Sequence, residues 1–463
     1  MALRADRPRF DDPTLDSKIR DLRAVDNVTN LVHLAIEYAG IALTIAGAVV
    51  FGEYRASWGI AWGWNVPVFA LAIALIGGFQ HRLAGLGHEA SHYTLLRDKR
   101  MNDLVADLFC MFPILTNLHF YRLFHLAHHQ YTNDWHRDPD LVNMGRSKGV
   151  DEYPMSRRRV PLRLHLRALT LPIAFLKYQW DYIYVNVLGK GGNVYMGRVE
   201  GGDGDRAWPR LGTALGLAYA VGLNALCWRL TSTGRAGWLV PSGLIGAAVA
   251  AAVTLLLPSR AVFRSPFRQA YSPRVGGILR LAYLTALIVA LASLRHATGG
   301  RSAVYVMVLW VVPMSTTFMI YMLLRDVYQH ANADDGRLTN SRIFFADPFT
   351  RWAVFVYGQD VHVTHHLFPA IPHYHLPRLH RLLQSEHREY AEKVVECHGT
   401  FVNRRGGPTI VDVLTGPHSR AAARRAVRPS AGAGFLEGGG DDTLGLGGRH
   451  DLQGGTPTIG RGV

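Results

Sequence analysis

Cysteine is scarce in this sequence. The 463 residues include only Cys110, Cys227 and Cys397, and no two of them form a CxxC pair. A disulfide framework, a rubredoxin-like domain and a cysteine-ligated iron–sulfur cluster all require paired or clustered cysteines. A His-Pro-Gly-Gly haem signature is also missing. The sequence therefore predicts no disulfide scaffold and no fused electron-carrier domain.

Charged residues are also few. They make up 18% of the sequence, below the roughly one quarter usual in soluble domains, whereas hydrophobic residues reach 49%. The net charge of +15 could suit nucleic-acid binding, but Arg and Lys lie mainly between apolar segments, as in cytoplasmic loops of membrane proteins. Residues 1–23 lack the apolar core of a cleavable signal peptide. We predict a membrane protein with no nucleic-acid partner, in which residues 1–29 form a cytoplasmic N-terminal segment.

Long apolar segments are present in number. A helix needs about 20 apolar residues to cross a bilayer. With the N-terminus inside, six spans would place the basic loops 146–167 and 258–274 in the cytoplasm. We predict an all-α integral membrane bundle of about four to six transmembrane helices, with a cytoplasmic helical cap, over residues 30–396. The predicted spans are 30–51, 67–88, 211–228, 238–257, 277–294 and 303–324.

Three further features qualify this topology. Glu37 lies inside the first span, where a carboxylate is costly in lipid, so it should face protein or water. The apolar segment 104–118 is short and interrupted by Pro113, so it should lie on the surface or re-enter the membrane. Residues 416–463 are rich in Ala, Arg and Gly, and we predict a disordered tail.

Histidine is abundant, and eight of the 22 histidines form three boxes next to apolar segments. One box has the spacing HxxxH and two have the spacing HxxHH. On a helix, offsets of three and four residues share a face, so the imidazoles converge. One metal ion takes about four to six ligands, so eight imidazoles predict two ions. The predicted ligands are His88 and His92, then His125, His128 and His129, and finally His362, His365 and His366.

Acidic residues lie close to the boxes. Asp138, Asp140 and Asp360 could orient metal-bound imidazoles, or they could be solvated loop residues. Glu89, inside the first box, could transfer a proton or could simply lie on a helix surface. The remaining histidines of these regions lack the box spacing, and we predict structural or interfacial roles for them. They are His81, His119, His136, His373, His375 and His380.

The three boxes resemble those of the membrane fatty acid desaturase/hydroxylase superfamily. The resemblance covers residues 80–141 and 325–383, and the stretches 362–369 and 371–376 look like the third box of acyl-lipid desaturases. It implies a non-haem di-iron centre with O2 as co-substrate and a long-chain acyl lipid as substrate. It also implies His330 as a ninth ligand. Electrons would come from a separate ferredoxin, rubredoxin or haem protein with its reductase.

The resemblance leaves the reaction open in one respect. The first box reads HEASH, whereas many plant-type desaturases have Asp after the first histidine, and such HE boxes also resemble carotenoid ketolases and hydroxylases. The leading hypothesis is a desaturase that introduces a C=C bond. The alternatives are a hydroxylase or ketolase acting on a lipid, carotenoid or other hydrophobic metabolite, and a membrane metal-binding or transport protein.

The predicted location follows from the topology and composition. All three boxes fall on the cytoplasmic side of a multi-pass protein when the N-terminus is inside. The high content of Arg, Ala and Gly is typical of a GC-rich bacterial genome, so we predict a bacterial inner membrane. A metal transporter would need polar residues along the spans, and these spans contain few.

Overall fold

The computed structural model describes residues 12–166, 171–195, 207–258, 261, 267, 270–403 and 406–416. The predicted tail 416–463 lies outside the described residues, apart from Gly416. The α-helices of the described chain are α1 (Pro13–Asp21), α2 (Thr29–Tyr54), α3 (Asn65–Ser91), α4 (Lys99–Ala106), α5 (Leu118–Tyr131), α6 (Pro139–Lys148), α7 (Pro172–Tyr182), α8 (Ala207–Ser232), α9 (Leu239–Leu256), α10 (Pro273–Ala297), α11 (Arg301–Val306), α12 (Val312–Ser315), α13 (Thr317–His330), α14 (Pro348–Ala353), α15 (His362–Leu367), α16 (Leu376–Glu386), α17 (Arg388–Lys393) and α18 (Ile410–Thr415).

Strands are almost absent from the described residues. The two that occur, β1 (Ile343–Phe345) and β2 (Glu396–His398), pair in parallel with Phe344 opposite Cys397. The pair joins the segment before α14 to the segment after α17 and so helps to close the cap around the third histidine box. The all-α prediction is therefore confirmed, with one small strand pair that the sequence did not reveal.

Six helical segments of the described chain are long and apolar enough to cross a membrane. Each contains or closely overlaps one of the six predicted spans, so the prediction of an all-α membrane bundle is confirmed. The last of them is not one regular helix, because α11 and α12 are joined by a π-helical turn at Met307–Val311. The candidate spans are Thr29–Tyr54, Trp62–Ser91, Leu211–Ser232, Ala236–Leu256, Pro273–Ala297 and Arg301–His330.

The segment between the first two histidine boxes turns sharply. The helical stretch Lys99–Ile114 and helix α5 meet at an angle of 91°. Leu115 has a left-handed backbone with φ of 63°, and the Asn117 side chain caps α5 by accepting a hydrogen bond from the Phe120 amide at 3.0 Å. The chain thus turns through about a right angle here instead of continuing as one straight helix. The turn brings the second box back towards the end of α3.

Helix α3 is the central support of the site, and two glycines let its neighbours approach closely. A Cβ at Gly77 would lie 2.0 Å from the Thr317 hydroxyl, and a Cβ at Gly78 would lie 2.5 Å from the Trp352 ring. Larger residues would therefore push α13 and α14 away from α3. Helices α3 and α13 both end at predicted ligands, and this close approach packs the two helices against each other.

Glu37 is buried among protein groups, as its position in the first span requires. The carboxylate accepts hydrogen bonds from the Arg82 guanidinium, with Nε at 2.8 Å, and from the Tyr357 hydroxyl. Arg82 also lies over the Tyr357 ring, 4.6 Å from its centroid. The pair joins α2 to α3 and to the segment before the third box, so this charge is neutralised inside the protein.

The N-terminal helix packs on the cap. Leu15 and Ile19 of α1 are buried in one apolar cluster with Leu379 and Leu383 of α16. At the edge of this contact the Lys18 ammonium lies 2.7 Å from the Glu386 carboxylate. Part of the predicted segment 1–29 is therefore an ordered helix that covers the element following the third box.

Candidate metal centre

Four elements bring nine histidines together. The first box lies at the end of α3, the second on the last turns of α5, and the third forms α15, while His330 is the last residue of α13. The histidines form two groups, and within each group the ligand atoms all lie within 4.8 Å of one another. The five-histidine cluster is His88, His92, His125, His129 and His365; the four-histidine cluster is His128, His330, His362 and His366.

Each HxxHH box contributes to both clusters in a way that follows from helix geometry. Residues at offsets three and four are separated by about 100° around a helix. In the second box the outer pair, His125 and His129, joins one cluster, and His128 joins the other. In the third box the outer pair joins the four-histidine cluster, and His365 crosses to the five-histidine cluster. The two boxes thus connect two adjacent histidine clusters, each of which could hold a metal ion.

The spacing of the ring nitrogens fits metal ions. Two nitrogens bound at right angles to an ion about 2.1 Å away are separated by about 3.0 Å. In the five-histidine cluster, His125 Nε2 lies 2.8 Å from His92 Nε2 and 2.9 Å from His129 Nε2. In the four-histidine cluster, His362 Nε2 lies 3.0 Å from His330 Nε2 and 3.1 Å from His366 Nε2. The nitrogens therefore converge as ligands around a shared centre would.

Burial favours the protonation state that metal binding requires. It lowers the pKa of His362, His365 and His366 well below the ordinary value, and the neighbouring imidazoles lower it further. Neutral imidazole carries the free lone pair that binds a metal, whereas imidazolium does not. The third box is therefore held in the ligand form at neutral pH.

Outer hydrogen bonds orient the four-histidine cluster. His330 Nδ1 donates to the Asn340 carbonyl at 3.1 Å, which leaves Nε2 as the ligand atom. His366 Nδ1 lies 3.1 Å from the Thr132 hydroxyl. His128 Nδ1 lies 3.0 and 3.1 Å from the two Asp138 oxygens. Three of the four rings are thus fixed from behind by protein groups.

The three aspartates near the boxes have different roles. Asp138 is buried against His128, and the Asp140 carboxylate lies 3.7 Å from the same ring nitrogen. Asp360 does not orient an imidazole; its carboxylate pairs with Arg351 at 3.1 Å. Sequence proximity to a box was therefore misleading for Asp360, because its side chain faces α14 and not the cluster.

Two groups near the five-histidine cluster were not predicted to support it. Glu89 is buried, not on a helix surface, and its carboxylate lies 3.5 Å from His88 Nδ1. The same carboxylate accepts a hydrogen bond from the His373 amide at 2.9 Å. Gln359 Nε2 lies 3.2 Å from His88 Nε2. The adjacency of Glu89 to a ligand was a usable signal, whereas Gln359 carries no spacing that would identify it.

The other histidines of the described residues lie outside both clusters. His81 bonds the Ala353 carbonyl at 2.7 Å, His373 bonds Asn30 at 2.9 Å, and His380 bonds Tyr390 at 2.9 Å. These buried contacts fit the predicted structural roles. His136 is exposed.

The ends of the membrane helices bring together two histidine clusters. This arrangement is that of a membrane protein with a candidate two-metal site of the histidine-box type. The fatty acid desaturase family model matches residues 62–256 and 252–398. The protein belongs to the fatty acid desaturase family, and this membership indicates an oxidoreductase of the desaturase or hydroxylase type.

One relative is the protein named dihydrorhizobitoxine desaturase of Bradyrhizobium elkanii, to which this chain is 31% identical over 173 residues. The match covers 36% of this chain and 44% of the relative, so it spans less than half of the relative's length.

Proposed function

We propose that the protein is an O2-dependent membrane desaturase that introduces a C=C bond into a long-chain acyl lipid. The observation that carries the proposal is the pair of adjacent histidine clusters with ligand nitrogens about 3 Å apart in each. The five-histidine cluster would hold one iron ion and the four-histidine cluster the other. Iron bound there would supply the O2 activation needed to remove hydrogen from an unactivated C–H bond.

The protein itself supplies position and surroundings. Each double bond formed takes two hydrogens from the substrate together with O2, two electrons and two protons, and releases two waters. The buried third box and its apolar neighbours Val363 and Leu367 exclude water from the cap side. Helices α3 and α13 end at the clusters, so metal ions held there would lie at the ends of two candidate spans.

The side of the membrane and the electron source belong to the same proposal. The positive-inside rule supports a cytoplasmic metal centre in a bacterial inner membrane, with residues 30–396 as the membrane domain and 1–29 on the cytoplasmic side. A separate ferredoxin, rubredoxin or haem protein with its reductase would deliver the electrons. Substrate identity needs a direct test, because the relative is named for desaturation of dihydrorhizobitoxine.

The test is an untargeted mass comparison of lipids from cells that express the wild type, His365→Ala or His136→Ala. His136 is exposed and outside the clusters, so its variant is the matched control. A product lighter by two hydrogens, made by the wild type and control only, supports desaturation. A product heavier by one oxygen replaces desaturase with hydroxylase, since oxygen rebound and a second hydrogen removal diverge after a common first step. Iron content separates an inactive preparation from one that lacks its substrate.

A further inference from the structure

A buried lysine close to the four-histidine cluster has no part in the mechanism described above. Lys148 is the last residue of α6 and is 3% exposed. Its ammonium lies 3.0 Å from the Asp326 carboxylate on α13 and 3.7 Å from the Asp140 carboxylate. A buried ammonium is costly unless it is paired, so these two carboxylates account for its presence.

The lysine connects two supports of the same cluster. At the start of α6, Asp138 and Asp140 face His128 Nδ1 at 3.0 and 3.7 Å. On α13, Asp326 lies one helical turn before His330. Lys148 therefore joins the helix that carries the carboxylates behind one ligand to the helix that carries another ligand.

The charges of this group hold it together. Burial opposes the charge on Lys148, but Asp140 and Asp326 outweigh it and raise the pKa of Lys148 above its ordinary value. Arg325 provides a second cation for Asp326, at 2.8 Å. Asp140 has no such second cation among its contacts in the described structure, so Lys148 is its counter-charge.

We propose that Lys148 is a positioning residue that clamps α6 to α13 and thereby keeps the four-histidine cluster in metal-binding geometry. The inference rests on the proposed function, because it takes the cluster to be a metal site. The clamp should act on one cluster only. The carboxylates of α6 face His128, and Asp326 lies on the helix that ends at His330. Both of these histidines belong to the four-histidine cluster. The five-histidine cluster has different outer contacts, including Glu89 at His88.

The experiment measures iron on the purified full-length protein. Wild type, Lys148→Met and Lys148→Arg are loaded with ferrous iron, and the iron-to-protein ratio is followed during titration with a chelator. Lys177→Met is the matched control, because Lys177 is exposed and pairs with Asp181 at 2.9 Å. Loss of a group behind a metal ligand typically weakens metal affinity about 10–100-fold.

We expect Lys148→Met to release one of two irons at about 10–100-fold lower chelator concentration than the wild type does. Lys148→Arg should keep both irons, since it preserves the charge, and Lys177→Met should match the wild type. If Lys148→Met holds both irons as tightly as the wild type, the clamp does not exist. If the wild type binds no iron, the proposed function fails together with the inference.

A second variant separates the clamp from a folding defect. Lys148→Met alone leaves Asp140 without its cation and Asp326 with Arg325 only, so it changes the local charge balance as well as the connection. Asp140→Asn alone keeps the Lys148–Asp326 pair and is the control. The double variant Lys148→Met/Asp140→Asn removes the ammonium together with the carboxylate that has no second cation, while Asp326 keeps Arg325, so it tests the loss of the connection without an uncompensated charge. Selective release of one iron from this variant, with helical content unchanged, supports the clamp. Equal weakening of both irons would overturn it.

Discussion

The two histidine clusters are held in different ways. In the four-histidine cluster, His128, His330 and His366 each have a protein partner at Nδ1. In the five-histidine cluster, the buried Nδ1 atoms of His129 and His365 have no hydrogen-bond partner among the described residues, whereas in the four-histidine cluster this holds for His362 alone. One cluster thus depends on groups behind its ligands, and the other has an additional ligand. If ligand number and outer support compensate for each other, the clusters should respond differently to mutation.

The largest effects are expected from removing one ligand. His365→Ala leaves four histidines in its cluster, whereas His366→Ala leaves three in the other. Both variants should lose activity, because the proposed reaction uses both metals. Bound iron should fall from about two to about one per chain in His366→Ala and by less in His365→Ala, since four nitrogens still complete a site. Elemental analysis of the purified variants measures this.

Equal iron loss in the two variants would show that the fifth ligand does not compensate for the missing outer support. An active, fully iron-loaded His365→Ala would remove His365 from the ligands altogether. His136→Ala, an exposed residue outside both clusters, should match the wild type in activity and iron.

A smaller effect is expected from Asp138→Asn. Asn remains a good N-cap for α6, as Asp138 is, so the variant removes the charge behind His128 and keeps the helix start. The affinity of the four-histidine cluster for iron should fall about 10–100-fold, as measured by chelator competition. Asp360→Asn is the control, because Asp360 pairs with Arg351 and not with an imidazole. A control variant that loses iron equally would assign the effect to general destabilisation.

The sequence predicted the ligands better than their supports. Helical periodicity placed eight histidines together, since offsets of three and four must share a face. The division of the histidines into clusters of five and four also follows from the rotation of about 100° between those offsets. The ligands were predicted from the sequence, but this division was not. His330 came only from resemblance, because a lone histidine after a span has no spacing that marks it.

The supports could not be predicted because side-chain direction depends on tertiary packing. Asp138 and Asp360 lie near different boxes, yet only Asp138 turns towards an imidazole. Glu89 accepts a hydrogen bond from the amide of His373, which lies 284 residues further along the chain, so its environment depends on tertiary packing. The apolar spans, by contrast, were predicted correctly because bilayer thickness alone determines their length.

Glu89→Gln examines the outer support of the five-histidine cluster. Gln keeps the side-chain length and can still accept the hydrogen bond from the His373 amide, so the variant removes mainly the charge near His88. We expect a weaker effect on iron affinity than in Asp138→Asn, about a few-fold, because the contact is 3.5 Å long and five ligands share the ion. The same chelator titration compares them. An effect larger than that of Asp138→Asn would reverse the proposed contrast between the clusters.

The difference in iron retention between the two clusters should change least in a variant that destabilises the fold outside both clusters. Arg82→Met leaves Glu37 buried without its cation, and breaking a buried pair typically costs about 3–5 kcal/mol. The melting temperature in detergent should fall, while the two irons should keep their relative chelator resistance. The double variant Arg82→Met/Glu37→Gln should recover much of the stability, because no unpaired charge then remains buried. Preferential loss of one iron in Arg82→Met would show that the clusters differ in global stability and not in their outer contacts.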